Sequence, residues 1–460
     1  MKFGGSMTEA EKEWGKLTWQ EKRQRRFARW LQPAGVKFDN PAAEQLYQER
    51  VNRFIDAICL REGDRAPVIL PVGTYPAYYA GSSLQAMMYD YDELRRVWYK
   101  FIGDFELDTF HGPALIHPGR FLEMVDTKTL KWPGHGLGDA VSIAQFVEAE
   151  NMTASEYQDF IDDPLDFYLR CYLPRTWGVF TPFRKIGKHL STHDVAHQIL
   201  ALAGDPEFAA AFETLKRAGE EHRKWRAVVM EISNKILAMG IPPIRGQMTS
   251  APFDNIGDLL RGTREIAMDM YRRPDEIHRA MDKLAPMLVK RVLSQADATL
   301  CPMVFMPLHK GDDAFMSDQQ FRTFYWPSFR WVMLQLIEEG LTPFLFAEGK
   351  YNNRLEVIRD LPKGSVIWHF DQTDMFRAKD VLGDVACIAG NVPASMLCTG
   401  APEMVRENCL QLIERCGKGG GFILTGGAGI DKGDPENLRA MLAAAKECGA
   451  GNRRASLATA

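Results

Sequence analysis

From residue 301 onward the chain alternates between short apolar runs and amphipathic stretches long enough for several helical turns. The runs are CPMVFMPL (301–308), TPFLFAE (342–348), SVIWHF (365–370), DVACIAG (384–390) and GFILTGG (421–427). Between them lie SDQQFRTFYWPSFRWVMLQLIEEG (317–340), with a bend or restart at Pro327, and APEMVRENCLQLIERCG (401–417). DPENLRAMLAAAKECG (434–449) closes the series, with Asp434 as N-cap, Pro435 at the first helical position and Gly449 past its end. Runs that are apolar throughout read as strands buried on both faces. A helix after each one carries the chain back to start the next strand in parallel.

The same rhythm reaches upstream through APVILPV (66–72), DTFHGPALI (108–116) and PPIRGQM (242–248), giving eight candidate strands. Eight strands, each followed by a helix or an insertion, predict an α/β fold of the (β/α)8 TIM-barrel type. A doubly wound open sheet is the alternative, because periodicity does not report closure. Residues 1–65 read as an N-terminal helical segment. In PAAEQLYQERVNRFIDAICLREG (41–63) the apolar residues have helical spacing, and Gly63 stands as a C-terminal cap. The barrel spans 66–448. It is interrupted after the second strand by a helical insertion at about 137–240, which includes a capping box at Thr153 and Glu156 and the long helical region 205–240. Residues 449–460 read as a mobile tail.

Charge and cysteine content narrow the function classes. A net charge of −4 gives no electrostatic case for nucleic acid, and the basic stretch KRQRRFARW (22–30) is expected to solvate a helix. Eight cysteines are scattered without a C-x-x-C pair, which fits reduced, mostly buried thiols. The N-terminus has no apolar signal core, and no run approaches the ~18 apolar residues of a membrane span. A cytoplasmic protein with no membrane contact is expected.

In such a barrel, chemistry sits at the C-terminal ends of the strands. Those ends carry His309, Lys310, Asp312 and Asp313, then Glu348 and Lys350, then His369 and Asp371, then Asn391 and Thr425. Imidazole and carboxylate on three consecutive strands can hold zinc through His309, Glu348 and His369, or transfer protons without metal. The plainer alternative is a Glu348–Lys350 ion pair at the rim, with His369 hydrogen-bonded beside it. Three other signals compete. HLSTHDVAH (189–197) spaces His189, His193 and His197 four apart, although Ser191 and Thr192 look like a cap that leaves His189 outside the helix. LTGGAGIDKGD (424–434) is either a phosphate-binding loop or a tight turn. His135, in the loop KWPGHGLGD, is a polar loop residue or reaches a substrate.

Three stretches, FRTFYWPSFRWVMLQLIEEGLTPFLFAEG, DVACIAGNVPASML and GGGFILTGGAGIDKGDPENLRAML, resemble the uroporphyrinogen decarboxylase superfamily. This superfamily includes the decarboxylase of haem synthesis and the zinc-dependent, cobalamin-linked methyltransferases. The resemblance implies the same barrel fold and, by default, a homodimer. It covers about 240–448 well, 66–136 more weakly, and the insertion not at all. The porphyrin decarboxylases carry an R-Q-A-G-R segment after the first strand. The matching LPVGTYP (70–76) has no arginine, and PALIHPGR (113–120) lacks their catalytic aspartate. A polycarboxylate tetrapyrrole would lack its cationic partners.

The methyltransferases hold zinc with an H-x-C pair after the fifth strand and a cysteine after the eighth, activating a thiol. Those positions are Phe346, Glu348 and Ala428 here, so the sulfur ligands are gone and Glu348 occupies the middle one. The resemblance therefore implies methyl transfer between a small oxygen-bearing substrate and a corrinoid (cobalamin) supplied by a partner protein. In that scheme His309, Glu348 and His369 bind zinc, and Lys310, Asp312 or Asp371 act as acid or base. Tyr75, Gln247, Lys350 and Asn391 contact substrate. The alternative is a metal-free decarboxylase of a small carboxylated substrate, with His309 or His369 as proton donor; a non-catalytic tetrapyrrole carrier is a third reading.

Overall fold

The computed structural model describes residues 13–187 and 194–459, with side chains through Gly449. His189, Ser191, Thr192 and His193 lie outside the described residues, as do the side chains of the expected mobile tail. The strands in chain order are β1 (Val68–Ile69), β2 (Leu130–Pro133), β3 (Gly136–Leu137), β4 (Gln145–Phe146) and β5 (Gln247–Met248). They continue with β6 (Met303–Leu308), β7 (Thr342–Ala347), β8 (Ile367–Phe370), β9 (Cys387–Val392) and β10 (Phe422–Gly426).

Seven of these form one parallel sheet in the order β1-β10-β9-β8-β7-β6-β5. The order never reverses, which excludes the doubly wound alternative and fits a TIM-type fold. The strand expected over 108–116 is not a ladder strand. Only an isolated bridge, Phe110 with Pro243, stands there, and a 3-10 turn follows at Pro113–Leu115. A side chain does part of the ladder's work at this seam: the buried Asp108 carboxylate accepts from the Val68 N–H at 2.9 Å and from Arg65 at 2.6 Å. The first and third strands shrink to two residues each. Pro67, Pro71, Pro242 and Pro243 in those runs have no N–H to give a ladder.

Alternate residues of the sheet face inward. Ile69, Met303, Phe305, Phe344, Ile367, Ala389 and Ile423 form one buried cluster with Trp30, Tyr47, Phe54 and Ile58 from the N-terminal helices Trp19–Leu31 and Pro41–Ile58. These helices close the end of the sheet where the strands begin. The basic stretch 22–30, expected to be solvated, instead clamps that end. Arg26 donates to the Glu339 carbonyl at 2.8 Å, Arg29 to Thr299 at 2.8 Å, and Arg23 to Gly364. Arg50 adds a bond to the Gly240 carbonyl at 2.7 Å. Cations on carbonyls just ahead of the strands meet the negative ends of the preceding helices. The far end of the sheet is left for chemistry.

Two helix ends differ from expectation. The second N-terminal helix stops at Ile58, five residues before Gly63: Leu60 takes φ 57 and the Arg61 N–H bonds back to the Asp56 carbonyl at 2.8 Å. The final helix runs Pro435–Thr459, straight through Gly449. A Cβ at Gly449 would stand 2.8 Å from the Arg65 Cβ, so glycine here permits close packing and does not end the helix.

The 137–240 region begins with strand pairing: β2 pairs with both β3 and β4 in a small separate sheet. Helices Asp194–Ala203 and Pro206–Ala238 come later. The segment after β3 is tied to several loops at the C-terminal end of the large sheet. The Ser142 hydroxyl bonds Asp431, its carbonyl accepts from Thr74 at 2.6 Å, and Glu148 accepts from Thr263 Oγ1 at 2.5 Å. No described helix is long and apolar enough to cross a membrane.

Candidate active site at the strand ends

Register aligns the predicted residues on the inner face of the sheet. Pro307, Phe346, His369 and Ala389 are successive partners across β6, β7, β8 and β9. Two residues further along each strand, on the same face, come His309, Glu348, Asp371 and Asn391. His309 and Glu348 meet, with Nε2 and Oε1 3.6 Å apart. Thus Glu348 answers to an imidazole. Lys350 has an exposed side chain and no ion pair among the described residues; its carbonyl accepts from the Asp313 N–H at 2.7 Å.

Two aspartates outside the predicted set complete the arrangement. The helical turn Pro252–Asn255 runs into a wider π-turn, Ile256–Arg261, and presents Asp254 and Asp258 to the end of β6. Asp258 Oδ2 lies 2.6 Å from His309 Nδ1, and its other oxygen accepts from Lys310 Nζ. Lys310 is buried and also faces Glu148 at 3.7 Å. Asp254 is fully buried and accepts from the backbone N–H of His309 (3.1 Å), from that of Lys310 (2.9 Å), and from Tyr325 Oη (2.6 Å). It fixes the backbone that carries the imidazole. The pair was legible in PFDNIGD as two acids four apart just past a strand.

The charges on this chain are unequal. The hydrogen bond from Asp258, aided by its charge and those of Asp254 and Glu348, lifts His309 to about 9, so it is an imidazolium at neutral pH. Burial opposes ionisation of Asp258, but His309 and Lys310 together hold its carboxyl below the usual range. Burial and then Asp258 raise Asp254 to about 6, against the pull of His309 and its donors. Glu348 is raised by enclosure and by Asp371 and Asp258, against His309.

His369 differs in kind. Its ring stacks on Phe346 with centroids 4.6 Å apart, and its Nε2 lies 2.7 Å from the Gly426 carbonyl. Burial, reinforced by Arg245, brings it down to about 4, so it is neutral. Of the expected zinc set of His309, Glu348 and His369, not all three side chains converge. Two members meet, the third is spent on β10, and among the described residues no group of three or more His, Cys, Asp or Glu is arranged to hold a metal.

The remaining predicted residues are mostly structural. Asn391 Nδ2 donates to the carbonyls of Asp371 (3.1 Å) and Thr373 (2.8 Å), while Asp371 Oδ2 accepts from the Gly349 N–H at 3.1 Å. Gly349 has φ 78, and that turn leaves Glu348 at the rim. Tyr75 is fully buried in an aromatic cluster with Tyr79 and Phe101, its hydroxyl on the Gly433 carbonyl, so it is not positioned to meet a substrate. Gln247 pairs with Val304, whose side chain packs in the outer core, and reaches the Gln295 carbonyl; it too faces away from the acid–base cluster. The glycine-rich loop is tied to the neighbouring strand ends: Gly427 N–H goes to Val392 and Ile430 N–H to Pro71. His135 stacks on Trp132 and pairs with Glu123 at 2.7 Å.

A parallel TIM-type sheet with an acid–base cluster at its strand ends defines a barrel-type enzyme scaffold. Residues 210–448 match the family model for uroporphyrinogen decarboxylase (URO-D), more than half of the chain, and the chain belongs to that family. Among solved structures it is similar to a methyltransferase from Methanosarcina mazei, with 14% identity and a TM-score of 0.53 over 87% of this chain and 98% of the other. At that identity the likeness concerns the fold. No curated protein matches the chain.

Proposed function

We propose that this member of the family is a metal-free decarboxylase of a small carboxylated substrate, with His309 as the proton donor. The observation that carries the reading is the Asp258–His309–Glu348 chain, in which an imidazolium at neutral pH turns its second nitrogen toward Glu348 at the strand ends. Loss of CO2 leaves an electron pair on carbon. Transfer of the Nε2 proton to that carbon gives R–H and CO2 and leaves His309 neutral, to be reprotonated from Glu348 or solvent. Asp258 holds the ring's orientation and stabilises its cationic form, and Asp254 anchors the backbone beneath it. His369, neutral and bonded to Gly426, is not the donor in this scheme.

A second reading, methyl transfer to a corrinoid supplied by a partner, has the similarity to a methyltransferase in its favour. In that reading the same His309 proton goes to the oxygen that loses its methyl group. Small carboxylic acids with and without an O-methyl group, incubated with and without a corrinoid, separate the two. Release of CO2 without corrinoid, abolished in His309→Gln, supports the lyase; methylated corrinoid with no CO2 overturns it.

A further inference from the structure

Deeper in the sheet interior is a charge the acid–base chain does not use. Arg245 lies between the isolated bridge at Pro243 and β5, and its guanidinium carbon sits 3.5 Å over the Phe305 ring. Gln247 faces outward while Arg245 covers an inner-face ring, so the side-chain alternation fails between them. Gly246 is the hinge, where a Cβ would stand 1.8 Å from the Cys301 carbonyl oxygen. Arg245 Nε is buried without a hydrogen-bond partner, and no carboxylate among the described residues pairs with this guanidinium. Burial pulls it down to about 10 with no anion to offset the cost. His111, just past the bridging Phe110, has a second orphan: its Nδ1 is buried and unpartnered, and the ring feels the charge of Arg245. Aromatic faces line the same interior, with Phe305 and Phe346 stacked at 6.4 Å.

A half-buried cation whose enclosed Nε has no partner and whose charge has no counter-ion is costly, and folds keep one where a ligand completes it. We infer that Arg245 and His111 form a carboxylate-anchoring subsite inside the barrel, built for a monocarboxylate with an apolar, planar body. The guanidinium supplies two parallel donors to one carboxylate, and His111, with its proton on Nδ1, supplies a third. A single cation between rings suits one negative charge with a ring behind it better than a dianionic phosphate. This arginine is not in the segment after the first strand where the porphyrin decarboxylases keep theirs. The inference deepens the proposed function by naming the substrate class, and it rests on that reading only for its link to turnover.

The test is binding, which needs no reaction. Benzoate, its neutral isostere benzamide and inorganic phosphate are titrated calorimetrically into the full chain. Benzoate is expected to bind saturably, at least tenfold tighter than either other probe. Arg245→Gln should weaken benzoate at least tenfold and His111→Gln several-fold, while His309→Gln changes it less than twofold. Arg245→Met should raise the ligand-free melting temperature, since an uncompensated, half-buried charge is removed, and abolish the benzoate-induced shift. Arg245→Lys, which keeps the charge but loses the fork, serves if the other variants fold poorly; it should weaken benzoate by severalfold. Equal binding of benzoate and benzamide, tighter binding of phosphate, no benzoate binding, or wild-type benzoate affinity in the Arg245 variants each overturns the subsite. If benzoate behaves as expected but His309→Gln retains turnover, the subsite stands and the proton-donor assignment falls.

Discussion

Replacing Asp258 with Asn tests the origin of the His309 charge. The side chain keeps its size and its oxygen can still accept from Nδ1, but the anion 2.6 Å away is lost. Two unit charges with centres about 4 Å apart interact by about 4 kcal/mol at an effective dielectric constant of 20. The His309 side chain is 41% exposed, so solvent screens roughly half of that, leaving ~2 kcal/mol or near 1.5 pH units. His309 should then titrate between 7 and 8 in place of about 9. At pH 8 about nine-tenths of the wild-type rings are protonated, against about a quarter in the variant. A reaction that needs the imidazolium should fall about fourfold at pH 8 and recover near pH 6. Specific 15N labelling of histidine gives the titration directly, and the basic limb of kcat/KM should move with it. A ring still titrating near 9 in Asp258→Asn, or a basic limb that stays put, refutes the electrostatic account of the site.

Three further outcomes follow from the same geometry. His369 has a folded-state value depressed to about 4, so its stabilisation is complete above its unfolded value and is lost as pH falls toward 4. Urea unfolding at pH 7 and pH 4.5 should show up to ~3 kcal/mol of acid destabilisation that His369→Gln largely removes. Asp254→Ala strips an acceptor from two backbone N–H groups and Tyr325, and should cost ~3 kcal/mol, with Tyr325→Phe costing ~1 kcal/mol. A double-mutant cycle should find the two non-additive; simple additivity would show that Asp254 and Tyr325 do not share one network. Zinc content of purified wild type, Glu348→Gln and His309→Ala should be equally low, because the three expected ligands do not meet; stoichiometric zinc lost in either variant would restore the metal reading.

The architecture and half of the site were legible in the sequence for one reason: strand periodicity carries both. A parallel strand buried on both faces writes itself as an apolar run, and its end is the first polar residue. Counting by twos then places His309, Glu348, Asp371 and Asn391 on one inner layer, as the register does. What failed lies where periodicity is weak. The first and third strands are broken by proline, the second is replaced by a carboxylate at the seam, and inward or outward facing could not be counted across Gly246. Strand periodicity therefore points to Gln247, whereas Arg245 holds the inner position. Asp254 and Asp258 sit on a helical turn whose rotation about its axis no strand pattern reports, and the π-turn after Asn255 changes the spacing a regular helix would impose.

The scatter of the three expected zinc ligands has a different cause. The zinc expectation assumes that three strand ends at similar depth point their donors at one spot, but side-chain length and hydrogen bonding decide that. His369 is one layer deeper than His309 and finds the Gly426 carbonyl first, while His309 finds Asp258. The position that the resemblance matches to a sulfur ligand thus carries a carboxylate that faces His309. The change is coherent: a carboxylate beside an imidazolium is stable without a metal, whereas a thiolate there would have had neither zinc nor a second sulfur. Restoring the pattern with Phe346→His and Glu348→Cys should therefore not recover zinc binding on its own, because Ala428 still lacks the second sulfur.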